Sequence, residues 1–210
     1  MKNYFITGTG TDVGKTWVTA SLIRHLRSHN TTALGLKPIC CGERTDVEIL
    51  AQANEKILSL NEINPIAVPV PVAPYACSVM EDYIYNMEPF WKTWQDLQHN
   101  HSGPFLIEGA GGWLVPISRD YWVREFAQEL KLPVIIVAHA SLGTLNHTLL
   151  TVESIRAAQL EVAGIFLNYH ECPDDLATQT NYSILEELAG CPVTKIESCE
   201  EITETPKWLN

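Results

Sequence analysis

Residues 4–16 read YFITGTGTDVGKT, and this stretch decides the fold class of the chain. The apolar run Tyr4–Thr7 is typical of a buried strand, and the pattern over Lys15–Ser28 places one apolar stripe along a helix. A glycine-rich turn that follows a strand and opens a helix with Lys-Thr is the context of a phosphate-binding P-loop. We therefore predict such a loop between the first strand and the first helix.

Each residue type in this loop has a physical reason. Gly14 lets the backbone approach phosphate oxygens without a Cβ in the way, and the unpaired N–H groups at the start of the helix point at the anion. Lys15 adds a cation, and the Thr16 hydroxyl is placed to bind Mg²⁺. The spacing departs from the general motif, because Thr9 stands where the first glycine is expected and Gly8 precedes it. A glycine-rich turn without a ligand is the alternative, disfavoured by the agreement of strand, loop, Lys-Thr and helix.

Apolar runs alternate with helical patterns along the rest of the chain. Further strands are predicted at Ala33–Lys37, Phe105–Glu108, Val134–Ala138, Ala163–Asn168 and Pro192–Ile196. Further helices are predicted at Asp46–Leu58, Pro89–Gln98, Tyr121–Leu130, Leu145–Ala158 and Asp174–Leu188. This alternation predicts an α/β fold with a mostly parallel sheet and helices on both faces, like that of P-loop NTPases. Because no linker or repeat interrupts the pattern, we expect one domain over residues 1–210.

The segment Asn64–Val79 breaks the alternation. Its prolines at positions 65, 69, 71 and 74 disfavour both a helix and a central strand. We predict an ordered loop there, either a surface connector or a wall of the substrate site.

The composition limits the partners of the chain. Asp and Glu outnumber Lys and Arg by 25 to 14, which gives a formal net charge of −11. Such a chain repels nucleic acid and anionic membrane surfaces, so we expect neither as a partner. We expect no signal peptide or transmembrane segment, and we interpret the six cysteines as free thiols of a cytoplasmic protein.

Carboxylates at two places could complete a metal site. The strand Phe105–Glu108 ends in an acid that is followed by glycines, and ligands of open α/β sheets bind at the carboxyl ends of strands. A P-loop also needs a carboxylate from another strand end for its Mg²⁺. Glu108 is therefore predicted to bind the metal or to position water, in preference to capping a helix. Asp46 or Glu48, at the start of the next helix, could complete the site, and Asp46 also suits the first turn of a helix.

A second cation is predicted at the end of the second strand. Pro38 cannot continue a strand ladder and biases Lys37 to an extended conformation. This presents the ammonium group toward the P-loop, where it could neutralise charge that moves during phosphoryl transfer. A solvated surface lysine is the alternative.

The choice of nucleotide rests on a late strand. GTPases of this class usually carry Asn-Lys-x-Asp there, and no such motif occurs in this chain, where residues 167–170 read LNYH. The Asn168 amide could pair with an adenine edge, which favours ATP. A turn residue at the end of the strand is the alternative for Asn168.

These motifs together resemble the dethiobiotin synthetase family. The residues that carry the resemblance are Gly8-Thr9-x-Thr11-x-Val13-Gly14-Lys15-Thr16, Lys37-Pro38 and Glu108-Gly109-Ala110-Gly111-Gly112, with supporting matches at Pro74-Tyr75-Ala76, Leu142-Gly143, Asn146-His147, Gly164 and Asn168. The resemblance implies an ATP- and Mg²⁺-dependent ligase that works as a homodimer. It would join CO₂ to the diamine 7,8-diaminononanoate and close the ureido ring through a carbamic–phosphoric anhydride.

The resemblance also implies a role for each residue at a matching position. Thr16, Asp46 and Glu108 would bind Mg²⁺, Lys15 and Lys37 would hold phosphate and carbamate, and Thr11 would lie near the carbamate. The residues that would hold the nucleotide are Asp12, Val13, Gly14, Lys15, Thr16, Trp17, Asp46, Glu108, Gly109, Ala110 and Gly111, with Asn168 at the adenine. The residues that would bind the substrate are Cys41, Gly143, Thr144, Leu145, Asn146 and Tyr182. Of these, positions 143–146 form a helix N-terminus that would bind the carboxylate of the substrate held by the neighbouring subunit.

Departures from the family pattern affect three of these assignments. Cys41 stands where the family often has Ser, and a thiol is the weaker hydrogen-bond donor. The spacing from Gly42 to Asp46 is shorter than usual, so Asp46 can bind the metal only if this loop is tightened. The C-terminal adenine-side motif of the family is not visible at residues 194–197.

Other functions of the same fold fit less well. A switch-type ATPase of the partition or positioning class carries an additional lysine five residues before the P-loop lysine, where this chain has Gly10, and its C-terminus is often basic, whereas residues 197–210 are acidic here. An amidoligase would need a glutaminase domain, for which 210 residues leave no room. An inactive binding module would not need both lysines and both acids.

Overall fold

The computed structural model describes residues 2–81, 84–197, 202 and 204–209. The strands are β1 (Tyr4–Gly8), β2 (Leu34–Leu36), β3 (Ile39–Cys41), β4 (Ile66–Val68), β5 (Phe105–Gly112), β6 (Pro116–Ser118), β7 (Tyr121–Trp122), β8 (Val134–His139), β9 (Val162–Asn168) and β10 (Val193–Ile196). The helices are α1 (Lys15–Ser28), α2 (Thr45–Ala53), α3 (Leu60–Ile63), α4 (Pro74–Glu81), α5 (Glu88–Asn100), α6 (Val123–Leu130), α7 (Thr144–Ala157) and α8 (Leu176–Leu188).

Six of these strands form one central sheet in the order β10-β9-β8-β1-β5-β2. All of its neighbours pair in parallel, as the strand–helix alternation predicted. The chain places β2 and β5 on one side of β1 and β8 on the other, so the order of connection reverses at β1. A crevice opens at such a reversal, beyond the carboxyl ends of the strands.

The central strands are buried on both faces. All five residues of β1 are buried, which explains why its sequence is a continuous apolar run and does not alternate. Phe5 lies edge-on against Phe126, with ring centroids 5.7 Å apart, and Phe126 lies edge-on against Phe90 at 4.9 Å. These rings tie α5 and α6 to the sheet, so the loops at the carboxyl edge rest on a rigid base.

The segment predicted as an ordered loop, Asn64–Val79, is partly regular, and that prediction was wrong. Strand β4 lies within it and pairs in parallel with β3 in a separate two-stranded sheet, and α4 begins in it at Pro74. Proline is tolerated at the first turn of a helix, where its missing N–H would have no partner in any case. The prolines at positions 65 and 69 flank β4 and leave its three residues free to pair.

Several predicted boundaries also needed correction. The helix predicted over Asp46–Leu58 ends at Ala53, because Glu55 and Lys56 have positive φ angles of 55° and 58°. The strand predicted to end at Glu108 continues to Gly112, with a shift in its register against β1. The pattern predicted as one helix from Tyr121 begins with the two residues of β7.

No helix in the described part of the chain combines the length and apolar character needed to cross a membrane. The five cysteines at described positions are free thiols, and Cys199 lies outside the described residues.

Candidate active site

Four polar side chains, from the starts of α1 and α2, the end of β2 and strand β5, come together at the carboxyl edge of the sheet. The Thr16 hydroxyl donates to Glu108 Oε1 at 2.8 Å. The Lys37 ammonium donates to the same oxygen at 2.5 Å and to Asp46 Oδ2 at 2.6 Å. Thr16, Lys37, Asp46 and Glu108 are called the lysine–acid cluster below. The residues predicted to bind Mg²⁺ therefore lie together, with Lys37 between the two acids. The short spacing from Gly42 to Asp46 does not prevent Asp46 from reaching the other two predicted ligands.

The cluster is buried on one side and open on the other. The Glu108 side chain is fully buried and that of Lys37 is 6% exposed, whereas the Asp46 side chain is 43% exposed. Burial alone would lower the pKa of Lys37, but the charges of Glu108 and Asp46 outweigh it and raise that pKa above its ordinary value. Burial would raise the pKa of Asp46, yet the Lys37 ammonium lowers it. Lys37 is a charged, buried group and not a solvated surface lysine.

The cluster has the chemistry of a magnesium site that is shared with a ligand. Glu108 Oε2 is buried without a hydrogen-bond partner among the described residues. Two carboxylates and one hydroxyl are hard oxygen donors, and Mg²⁺ commonly takes one or two carboxylates and completes its shell with water and substrate phosphates. The described residues contain no group of three or more His, Cys, Asp or Glu side chains that would hold a metal alone. The residues present fit a metal that arrives with a nucleotide.

The P-loop lysine has a different environment. Lys15 is 6% exposed, and its ammonium donates to Gly10 O at 2.9 Å, within the loop itself. Burial lowers its pKa to about 8. The loop turns through left-handed backbone at Asp12 and Gly14, with φ angles of 57° and 93°. Gly14 is also the N-cap of α1, and no side chain caps that helix, so its N–H groups are available to an anion.

The glycines after Glu108 pass close to the P-loop. A Cβ at Gly112 would lie 3.5 Å from Gly8 O, and a Cβ at Gly111 would lie 3.8 Å from the Thr11 hydroxyl oxygen. Gly109 packs against Phe5. Ala110 is buried and Trp17, in the first turn of α1, is half-buried.

Asn168 lies under the P-loop. Its amide nitrogen donates to Val13 O at 3.2 Å, and its amide oxygen accepts from the backbone N–H of His170 at 3.0 Å. A Cβ at Gly14 would lie 2.5 Å from the same amide nitrogen. The amide thus supports the P-loop from the end of β9, and its predicted contact with adenine stays a prediction.

A cleft of about 400 Å³ lies between the P-loop and the loop that follows β8. Its walls are Thr9, Gly10, Thr11, Asp12, Val13, His139, Ser141, Leu142, Thr144 and His147. Helix α7 begins at Thr144 after Gly143, whose φ is 94°, and no side chain caps it. The helix N-terminus predicted to take a carboxylate therefore opens into the same cleft as Thr11, with Gly143 and Asn146 exposed and Leu145 half-buried.

Two predicted substrate residues lie apart from this cleft within one chain. Cys41 ends β3, is half-buried, and has a pKa that burial raises to about 11. Tyr182 lies on α8, where its hydroxyl donates to Glu186 Oε1 at 3.0 Å. Lys195 stands over the Tyr182 ring at 5.8 Å. Their roles toward the substrate stay predictions.

The motifs did not reveal every polar residue of the site. His139 and Ser141 line the cleft, and the His139 Nδ1 and Ser141 Oγ atoms lie 3.1 Å apart. His139 is the last residue of β8, so the argument from strand ends that identified Glu108 could also have found it.

Comparisons with known proteins identify the fold and the family of the chain. A protein-family model described as an AAA domain matches residues 2–204. Among solved structures, the signal recognition particle receptor FtsY from Elizabethkingia anophelis superposes with a TM-score of 0.54 at 14% identity, over 91% of this chain and 57% of that chain. FtsY from Thermotoga maritima superposes with a TM-score of 0.54 at 14% identity, over 95% of this chain and 63% of that chain. The chain spans about three fifths of these proteins, and the likeness shows a common P-loop NTPase fold.

Curated relatives are much closer in sequence. The chain is 36% identical to the ATP-dependent dethiobiotin synthetase BioD of Akkermansia muciniphila, over 92% of this chain and 90% of the relative. It is 38% identical to BioD of Aquifex aeolicus, over 96% of this chain and 91% of the relative. It is 35% identical to BioD of Bacillus subtilis strain 168, over 100% of this chain and 89% of the relative. At this identity and coverage, the chain belongs to the ATP-dependent dethiobiotin synthetase family.

Proposed function

We propose that this protein is an ATP-dependent dethiobiotin synthetase, a ligase of biotin biosynthesis. It joins CO₂ to one amine of 7,8-diaminononanoate, and the resulting carbamate oxygen attacks the γ-phosphate of ATP while ADP leaves. The second amine then attacks the carbamic–phosphoric anhydride, phosphate leaves, and the ureido ring closes. The observation that carries the proposal is the pair of buried lysines at the carboxyl edge of the sheet: Lys15 lies in the P-loop, and Lys37 shares Glu108 Oε1 with Thr16 of the same loop motif.

The protein's part in this reaction is positioning and charge neutralisation. The P-loop N–H groups and Lys15 bind the phosphates, and the Lys37 ammonium neutralises negative charge that forms on the carbamate and phosphate oxygens. Thr16, Asp46 and Glu108 would hold Mg²⁺. The metal would supply a further positive charge on the phosphate oxygens.

Substrate binding is proposed at the cleft beside the P-loop. Thr11 faces the amine and carbamate end, and the N-terminus of α7 takes the substrate carboxylate of the neighbouring subunit in a homodimer. Exposed apolar side chains near this helix support a dimer interface there, because Leu142, Leu150 and Leu176 are 83%, 57% and 75% exposed in the single chain. Cys41 and Tyr182 complete the substrate site, and Asn168 lies at the adenine side.

The proposal includes the setting of the enzyme. Residues 1–210 act as a single domain, the substrates are small molecules, and neither nucleic acid nor membrane takes part. The free thiols of the described residues support a reducing, cytoplasmic location.

A reconstitution with purified components tests this function. The protein is incubated with 7,8-diaminononanoate, bicarbonate, ATP and Mg²⁺, and each component is omitted in turn while dethiobiotin is measured by mass spectrometry. We expect product only when all four are present. ATP hydrolysis without ring product would instead support the switch-type ATPase or another substrate.

A further inference from the structure

Two chain segments, the one that ends at Lys37-Pro38 and the start of α2, bring Lys37 and Asp46 into the lysine–acid cluster. Lys37 follows β2 and precedes Pro38, which lacks an N–H and separates β2 from β3 along the chain. Asp46 lies in the first turn of α2, which has no side-chain cap. Because the Asp46 side chain is 43% exposed, burial alone does not fix the 2.6 Å contact between them.

The Asn64 side chain holds the Lys37 side of this contact. Asn64 is 2% exposed, and its amide nitrogen donates to the carbonyls of Lys37 at 3.0 Å, Ile66 at 2.9 Å and Pro38 at 3.3 Å. Backbone bonds from Lys37 to Ile63 and from Ile66 to Pro38 run alongside. The amide nitrogen therefore ties the carbonyls of Lys37 and Pro38 to the start of β4.

Arg44 holds the Asp46 side. Arg44 is the N-cap residue of α2, and its guanidinium donates to Leu60 O at 2.6 Å and to Asn64 O at 3.2 Å. It also donates to the Asn61 side chain at 3.2 Å. The start of α2, two positions before Asp46, is thus tied to both ends of α3.

Asn64 joins the two halves, since its side chain reaches Lys37 and its own carbonyl accepts from Arg44. We propose that Asn64 and Arg44 form a brace that positions the Lys37 ammonium and the Asp46 carboxylate relative to each other. Neither residue contacts a reacting atom, so both are positioning residues. The proposal rests on the proposed function for its kinetic test, and a displacement of about 1 Å costs on the order of 100-fold in rate.

Asn54 offers a matched control. It is fully buried, and its side chain also binds the backbone of β2, donating to Gly35 O at 2.9 Å and accepting from Gly35 N at 2.7 Å. It supports the same strand two residues before Lys37, and these hydrogen bonds involve neither Lys37 nor Asp46. A residue with a merely structural role should behave like Asn54.

The kinetic test compares Asn64→Ala and Arg44→Ala with Asn54→Ala. We expect kcat for dethiobiotin formation to fall about 10- to 100-fold in Asn64→Ala and about 10-fold in Arg44→Ala, with the KM for ATP nearly unchanged. Asn54→Ala should lower the Tm and leave kcat within about 3-fold. In an Asp46→Asn background, Arg44→Ala should cost little more, because its effect passes through Asp46. Additive losses, or equal losses in Asn64→Ala and Asn54→Ala, would overturn the brace.

A second readout is independent of turnover. In proton–nitrogen correlation spectra of the lysine ammonium groups, a buried and ion-paired Lys37 should give a slowly exchanging signal, assigned by its loss in Lys37→Met. We expect this signal to broaden or vanish in Asn64→Ala and to persist in Asn54→Ala. If it persists in both Asn64→Ala and Arg44→Ala, the brace does not position Lys37, whatever the protein synthesises. Arg44→Ala also covers the case in which Asn64→Ala does not fold, because Arg44 is partly exposed.

Discussion

The P-loop and the end of the second strand each bury one lysine ammonium, and the two lysines are equally hidden, but their partners differ. Lys15 donates within its own loop and has a pKa lowered by burial to about 8. Lys37 contacts two carboxylates, and its pKa is raised. Among the described residues Lys15 has no carboxylate as an ion-pair partner and can take an anion, whereas Lys37 is already neutralised by Asp46 and Glu108. Burial alone therefore does not fix the pKa of a lysine in this molecule, because the carboxylates beside Lys37 outweigh it.

The largest effect should come from removing the neutralised lysine. Lys37→Met should lower kcat about 100- to 1000-fold, because a preorganised charge at the reacting oxygens is lost. ATP should still bind, since Lys15 and the P-loop remain. Turnover and nucleotide binding are measured together, with Lys92→Ala, an exposed lysine on α5, as the control. Normal turnover in Lys37→Met would remove Lys37 from the mechanism.

The buried acid is the next test of the comparison. Glu108→Gln keeps the size of the side chain and removes the charge that Lys37 and Thr16 contact. We expect a loss of about 100-fold in kcat and a shift of the Mg²⁺ titration to higher concentration. A Mg²⁺ titration like that of the wild type would make Glu108 a structural residue.

Two acids of α2 allow a residue of the lysine–acid cluster, Asp46, to be compared with a nearby acid outside it, Glu48. Asp46 contacts Lys37, whereas Glu48 is exposed. Asp46→Asn should raise the half-saturating Mg²⁺ concentration about 10-fold or more, and Glu48→Gln should leave it within about 2-fold. The opposite order would assign the metal to Glu48, the alternative that the sequence left open.

The smallest effect concerns protons at the P-loop. A bound phosphate favours the charged form of Lys15 and raises its lowered pKa. At pH values between the Lys15 pKa of the free protein, about 8, and the higher pKa of the nucleotide complex, binding should therefore take up part of one proton per site. Well below pH 8 Lys15 is already protonated, so this uptake should disappear. Calorimetry at pH 9 in buffers of different ionisation enthalpy measures it, and Lys15→Met should abolish it. Uptake that survives in Lys15→Met would point to another group.

Sequence reasoning succeeded where the needed residues are adjacent or follow a strand. The P-loop is contiguous from Gly8 to Thr16, and both Lys37 and Glu108 were found because the carboxyl ends of parallel strands meet at one edge. The segment after Asn64 was misjudged, since its prolines flank the short strand β4 and begin a helix. Asn64 itself carries no local signal, because its partners are carbonyls that any residue could offer.

In the proposed reaction carbamate, and not water, attacks the γ-phosphate. Bicarbonate enriched in heavy oxygen supplies labelled CO₂, and the phosphate released during a single fast turnover is analysed by mass spectrometry. We expect the phosphate to carry one heavy oxygen and dethiobiotin to form in equal amount. Phosphate without the label would mean that water attacks ATP, and the proposed reaction would then be wrong.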